Sequence, residues 1–215
     1  TIPKEKMDQV TLLVSLGPVT GKLAASELQE KGVLSNCHVN IVQLNDKVEY
    51  KDYQSELKHL LENEKRLDKI GELITKISES GNTLVLVDRV KAGKELAARL
   101  PNAVFVNGST KLSERKEEYD EVKTSTNKII IATYGVAAVG INIPRINHLV
   151  LIEPGKSFVR VIQSIGRGIR KGEDKDSVEI YDITSACKYS KRHLTERKKY
   201  YKDAKYPFTI TKVTI

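Results

Sequence analysis

Cysteine is scarce in this chain, with two in 215 residues, Cys37 and Cys187. They form no metal or redox pattern, so a disulfide framework and a zinc ribbon are both excluded and a reducing compartment is expected. The four histidines, His38, His59, His148 and His193, share no ligand spacing. Cys37-His38 is a lone adjacent pair and reads as strand packing rather than as zinc ligation. No apolar run approaches the ~18 residues of a membrane span, and no signal-peptide pattern is visible. A working phosphate loop is also missing. Gly17-Pro18-Val19-Thr20-Gly21-Lys22-Leu23 comes near one, but three residues separate its glycines, where the Walker pattern has four, and Leu23 stands where a Ser or Thr should meet magnesium. No Asp-Glu-x-Asp/His run follows. This stretch is therefore rejected as an ATP cradle.

What the chain does have is positive charge. Thirty-six Lys and Arg against 28 Asp and Glu leave a net +8, which points to an anionic partner, nucleic acid first. A hydrophobic content of 40% can supply a core, and the length suits one domain with a short appendage.

Residues 1–38 read as the tail of something else. Thr11–Val14 is a short helix or strand, Gly17-Pro18 breaks it, and Thr20 caps a helix through Lys31 that stops at Gly32. Val39–Leu44 alternates like a strand. Tyr50–Asn63 and Glu64–Ser80 carry apolar residues at helical spacing, a core face rather than a ligand box. From Thr83 the rhythm changes. Strands are expected at Thr83–Val87, Ala103–Val106, Lys128–Ala132, His148–Ile152 and Val178–Ile183. Helices are expected near Ala92–Leu100, Ser113–Val122, Tyr134–Val139 and Phe158–Arg170. Strands apolar on both sides, alternating with helices, predict an α/β fold: a doubly wound, mainly parallel sheet with helices on both faces. Ligands in such sheets gather beyond the carboxyl ends of the strands. Asp88-Arg89, Asn107–Thr110, Thr133–Gly135 and Glu153–Gly155 all fall there.

Gln163-Ser164-Ile165-Gly166-Arg167-Gly168-Ile169-Arg170 organises the chemistry. Arg167 and Arg170 share a helix face at i, i+3, and Gly166 and Gly168 leave room for close approach. Planar guanidinium forks suit phosphate oxygens, so a paired arginine site for a polyphosphate is one reading. A solvated basic helix end, continued by Lys171, is the other.

Upstream, residues 128–144 run from an apolar strand through Ala132-Thr133 to Gly140-Ile141-Asn142-Ile143-Pro144. Together the two stretches resemble motifs V and VI of superfamily-2 helicases, in the right order and at the right separation. Thr83–Arg89 resembles motif IV. Val106–Thr110, with Arg115 further on, resembles motif IVa. The resemblance covers roughly residues 40–183, and the end of the chain, from Pro207, resembles that of phage recombination helicases.

The resemblance implies the second RecA-like lobe of an ATP-dependent DNA motor, with residues 1–38 as the exit from a first lobe and linker, and 39–215 as the helicase C-terminal domain. ATP and Mg²⁺ are the expected cofactors. Motifs I and II belong to the first lobe, so magnesium is expected there, and this lobe alone is expected neither to bind ATP tightly nor to hydrolyse it. Arg170 is the expected arginine finger, Arg167 a second phosphate contact or inter-lobe link, and Gln163 part of the γ-phosphate network. Gly140 lets the backbone approach the nucleotide, and Asn142 contacts the ribose or a nearby water, although many relatives carry Asp there. Thr133 and the Gly108-Ser109-Thr110 turn are expected to hold DNA phosphates, with helix capping as the other reading of Thr133. Arg89 is a nucleic-acid contact or, with Asp88, a loop salt bridge.

A basic helix is expected over 185–205. Lys188, Lys191, Arg192, Arg197, Lys198, Lys199, Lys202 and Lys205 oppose Glu196 and Asp203, with Tyr189, Tyr200, Tyr201 and Tyr206 interleaved. The tyrosines are expected to pack on the sheet. The basic residues, Lys191, Arg192, Lys198 and Lys199 among them, are expected to meet nucleic-acid phosphates. The expected partners are DNA ahead of RNA and the first lobe of the same protein, in a monomer without membrane contact. The family resemblance places it in the cytoplasm of a bacterium or phage-infected host. A non-catalytic nucleic-acid-binding module and a double-stranded DNA translocase of a restriction or repair system are the alternatives.

Overall fold

The computed structural model describes residues 36–46, 48–140, 145–155 and 177–215. The strands are β1 (Asn36–Leu44), β2 (Thr83–Val87), β3 (Ala103–Val106), β4 (Ile129–Thr133), β5 (His148–Ile152), β6 (Ser177–Ser185) and β7 (Phe208–Val213). The helices are α1 (Tyr53–Glu62), α2 (Glu64–Ser78), α3 (Val90–Ala97), α4 (Leu112–Glu121), α5 (Tyr134–Gly140) and α6 (Lys188–Asp203). The expected helix at Phe158–Arg170 and everything before Asn36 lie outside the described residues.

The strands form one seven-stranded sheet in the order β3-β4-β2-β5-β6-β1-β7. Every pairing is parallel, so all carboxyl ends lie along one edge. β2, β4 and β5 are buried at all five positions, as their continuous Val/Ile/Leu runs require of strands covered on both faces. Leu84, Leu86, Ile130, Ala132, Leu149 and Leu151 pack on one face with Tyr134 of α5 and Leu194 and Tyr201 of α6. Val85, Val87, Ile129, Ile131, Val150 and Ile152 pack on the other with Leu57, Leu61, Ile70, Ile74, Ala92 and Leu96 from α1, α2 and α3. The doubly wound expectation holds.

Local chemistry sets the helix ends. Asp52 caps α1 by accepting the Ser55 N–H at 2.9 Å, so the helix starts at Tyr53 and not at Tyr50. Asn63 ends α1 and caps α2, accepting from the Arg66 N–H at 3.0 Å. Gly81 has φ 157°, and a Cβ there would lie 2.6 Å from Asn147; the turn requires glycine.

Most other boundaries shift from expectation by one to three residues, and the larger differences lie at the two ends of the described chain. β1 begins at Asn36, three residues earlier, because its ladder with β6 continues through Asn36, Cys37 and His38. The basic helix covers 188–203 rather than 185–205. Ser185 still pairs with Leu44 in β6, and Lys205 turns to φ 54°. β7 was not anticipated as a strand. It lies at the sheet edge beside β1, and Thr209, Ile210, Thr211 and Lys212 are exposed, so it carries no buried apolar signature.

Candidate nucleic-acid and nucleotide interface

The residues singled out from the sequence fall in two places, the carboxyl edge and the outer face of α6, which runs from the carboxyl end of β6 back toward the amino end of β7. Arg89 and Gly108–Thr110 follow β2 and β3, and Thr133 ends β4; these three strands are adjacent in the sheet. The basic residues of α6 belong to the β6-β1-β7 end. At ~4.8 Å per strand, the two groups are not brought into one cluster. Gly140 closes α5. Asn142, Gln163, Arg167 and Arg170 lie outside the described residues.

The turn after β3 is built by Asn107. Its Oδ1 accepts both the Ser109 N–H, at 2.8 Å, and the Ser109 hydroxyl, at 2.6 Å. Its own N–H donates to Thr110 Oγ1 at 3.0 Å. Arg115 reaches back from α4 and donates to the carbonyls of Asn107, Gly108 and Thr110 at 2.9–3.0 Å. The turn's carbonyls thus face a cation. The N–H and hydroxyl of Ser109 are already engaged, so of the donors expected to meet phosphate, the Gly108 N–H and the Thr110 hydroxyl hydrogen remain. No heavy atom lies within 4 Å of a Cβ built on Gly108 or on Gly135, so the edge is open at both. Arg115 was noted in the sequence only as part of a motif; its bracing role follows from its place three residues into α4.

Thr133 is buried, and its hydroxyl accepts the Val136 N–H at 3.5 Å; the capping reading is the one with a partner in hand. Arg89 donates to Gln54 Oε1 at 3.0 Å rather than pairing with the exposed Asp88.

On α6, Lys191, Arg192 and Lys199 are exposed. Lys199 pairs with Glu196 at 3.0 Å, and Lys198 places its ammonium 6.0 Å from the centre of the Phe208 ring. Lys191 lines a cleft of about 370 Å³ with Gln43, Asn45, Ala186 and Lys212, which adds Lys212 of β7 to the basic surface. Arg197 does not belong to that surface. It is 1% exposed and forks onto Asp182 at 2.8 and 2.9 Å. Sequence placed it among the lysines because it sits in a basic run. Yet Ser190, His193, Leu194, Arg197 and Tyr201 are the buried stripe of α6, at i, i+3, i+4, i+7 and i+11 spacing. That periodicity is the signal that could have found it. Tyr201 and Tyr206 are buried and Tyr200 partly so, as expected of sheet-packed tyrosines.

Deeper in the edge lies a buried polar network that sequence reasoning did not find. Arg66, fully buried on α2, pairs with Asp46 at 2.9 Å and with Glu153. Ser190 Oγ donates to the other Glu153 oxygen at 2.8 Å. Burial raises the pKa of the Glu153 carboxyl above the usual carboxylate range, against the opposing pull of Arg66. Glu56 of α1 accepts the backbone N–H groups of Tyr189 and Ser190, at 3.0 and 2.7 Å. Among the described residues no group of three or more His, Cys, Asp or Glu side chains is arranged to hold a metal ion, and no helix is long and apolar enough to cross a membrane.

A parallel, doubly wound sheet whose carboxyl edge carries these turns defines a RecA-like lobe of the kind found in helicase motors. Residues 65–172 match the helicase conserved C-terminal domain, and the chain belongs to that family. It is 26% identical over 195 residues to the ATP-dependent DNA helicase UvsW of Enterobacteria phage T4, across 86% of this chain and 39% of that protein. The crystal structure of T4 UvsW superposes with a TM-score of 0.72 at 22% identity, covering 89% of this chain and 42% of UvsW. The pre-mRNA-splicing ATP-dependent RNA helicase PRP28 of Debaryomyces hansenii is 27% identical over 186 residues, 81% of this chain and 32% of that protein. A fragment described as an HsdR subunit of a type I restriction enzyme from Vibrio vulnificus shares the fold, with a TM-score of 0.73 at 16% identity over 99% of this chain and 43% of that one. The chain spans well under half the length of these curated relatives.

Proposed function

We propose that this chain is the C-terminal motor lobe of an ATP-dependent superfamily-2 DNA helicase or translocase that remodels branched DNA in recombination or repair. The observation that carries the reading is that Gln163, Arg167 and Arg170 stand, at motif VI spacing, inside the span that matches the helicase C-terminal domain. The preference for DNA rests on UvsW, a DNA helicase by name, whose match extends over 86% of this chain.

Mg-ATP bound between two lobes would close them on one strand, and hydrolysis of its phosphoanhydride would let them reopen. Arg170 meets the developing charge on the terminal phosphate, Arg167 adds a second phosphate or inter-lobe contact, and Gln163 joins the same network. Gly140 admits the backbone to the nucleotide, and Asn142 meets the ribose or a neighbouring water. A first RecA-like lobe holds the magnesium and the Walker lysine, so this lobe by itself is inactive. The openings at Gly108 and Gly135 fit approach by a polyanion. Arg89, Gly108, Thr110 and Thr133 hold the strand at the carboxyl edge, and Lys191, Arg192, Lys198 and Lys199 add basic contacts along α6. Such contacts position a backbone without reading its sequence.

The test is DNA-stimulated ATP hydrolysis by the natural full-length protein on forked and linear DNA, with and without Arg170→Ala. An arginine finger is worth roughly 10³–10⁵ in rate, so Arg170→Ala should lose at least about 10³-fold, and forked DNA should stimulate more than linear. A mutant that hydrolyses ATP normally while binding DNA would replace this reading with a non-catalytic nucleic-acid-binding module.

A further inference from the structure

The residues that lead out of β5 are held to an unusual degree. Tyr134 at the start of α5 donates its hydroxyl to the Ile152 carbonyl at 3.3 Å. Glu153 donates its N–H to Ile183 O at 2.9 Å, and its buried carboxylate is shared between Arg66 and Ser190. The Pro154 carbonyl accepts from Arg197 Nη1 at 2.5 Å. Gly155 faces the Tyr53 hydroxyl, which would lie 3.0 Å from a Cβ there. Glu153 itself has φ 41°, a left-handed conformation that non-glycine residues adopt only when their surroundings impose it.

A loop leaving a strand can end its polar obligations in water. This one spends two buried arginines on three residues, and buried ion pairs are a poor way to gain stability. Strained, over-determined backbone of this kind collects at functional sites. The stretch that carries Gln163, Arg167 and Arg170 comes next along the chain. Part of the grip comes from the inner face of α6, through Ser190 and Arg197, while the outer face of the same helix presents Lys191, Arg192 and Lys199.

We propose that Arg197 and Ser190 are positioning residues, which fix the Glu153–Gly155 turn and thereby the departure of the arginine-bearing stretch. α6 then serves two ends, with a basic outer face for nucleic acid and an inner face that holds the turn from which the chain continues to Gln163, Arg167 and Arg170. This rests on the reading of Arg170 given above.

The experiment compares Arg197→Lys, Ser190→Ala and Arg170→Ala. Lysine keeps a charge beside Asp182 but loses the planar fork that spans Asp182 and the Pro154 carbonyl. In the 215-residue chain without nucleotide, Arg197→Lys should speed amide exchange at Glu153 and Gly155 and leave β2 and β4 protected. In the full-length protein it should lower kcat for DNA-stimulated ATP hydrolysis by roughly tenfold to a hundredfold, the scale of a small misplacement of a catalytic group. KM for ATP and DNA affinity should not change. Unaltered kcat, or a loss of kcat that merely tracks a fall in melting temperature, overturns the proposal. If Arg197→Lys does not fold, Ser190→Ala decides by the same readouts. Arg170→Ala separates the two levels: if it is harmless, the finger reading fails and this inference falls with it. If it abolishes turnover while the α6 variants do not, only this inference fails.

Discussion

Glu56 of α1 caps α6 from 134 residues away, its carboxylate accepting the Ser190 N–H at 2.7 Å. Cys187, the N-cap of α6, makes no side-chain capping bond to the helix. A carboxylate at a helix N-terminus meets both the unpaired N–H groups and the positive end of the helix dipole. The contact also ties the helices of one sheet face to the start of α6 on the other.

Glu56→Ala should therefore destabilise the chain by roughly 2–4 kcal/mol, since the Tyr189 and Ser190 N–H groups would both lose their acceptor at about 1–3 kcal/mol each. Glu56→Gln, which keeps one acceptor oxygen, should cost less. Urea denaturation of the three proteins, compared at constant m, measures both.

Gly93 of α3 makes the opposite point about propensity. Alanine is worth about 1 kcal/mol more than glycine in a helix interior. A Cβ on Gly93, however, would run into the ring of Phe105 in β3. Overpacking of this kind typically costs about 1–3 kcal/mol, so Gly93→Ala should lower the melting temperature despite its better propensity. Gly93→Ala combined with Phe105→Leu should recover part of the loss.

The buried tyrosines set an alkaline limit. Burial pushes Tyr200 from the usual 10.0 up to about 12, and burial raises Tyr134, Tyr201 and Tyr206 as well. With folded values above unfolded ones, the native state binds more protons once the pH passes about 10. Stability is then full below that value and falls as the pH rises further. Melting temperature followed from neutral to strongly alkaline pH should decline beyond about 10, with phenolate absorbance appearing at unfolding. Tyr200→Phe should reduce that decline.

The outer face of α6 is testable through salt. Removing one basic side chain that meets a duplex phosphate should reduce the slope of log affinity against log salt by about 0.9. Lys191→Ala and Arg192→Ala should each show such a reduction, uniformly across DNA sequences. Lys199→Ala should show less, because its ammonium is already shared with Glu196. Slopes unchanged in the first two variants would remove α6 from the nucleic-acid track.

β2 and β5 begin and end where the sequence predicts, because a strand buried on both faces must be apolar throughout and local composition records that demand. β7 escaped the same reading. It is an exposed edge strand, and its partner among the described residues, β1, lies more than 160 residues earlier. The turns at the carboxyl edge were legible because small and polar residues interrupt the apolar runs where the strands end. Their hydrogen-bond states were not, as Ser109 shows, since Asn107 engages donors that sequence leaves free.

Sequence by itself determined the parallel α/β plan, the edge on which the small and charged residues collect, and the helicase family. Only the tertiary structure decided which basic residues face water. Arg197 and Lys198 are neighbours in one basic run, but a helix turns about 100° between them. One of those directions meets Asp182 in the core, whereas the other runs along Phe208 at the surface. A charge is buried only where a partner waits to neutralise it, and that partner is supplied by a different strand of the sheet.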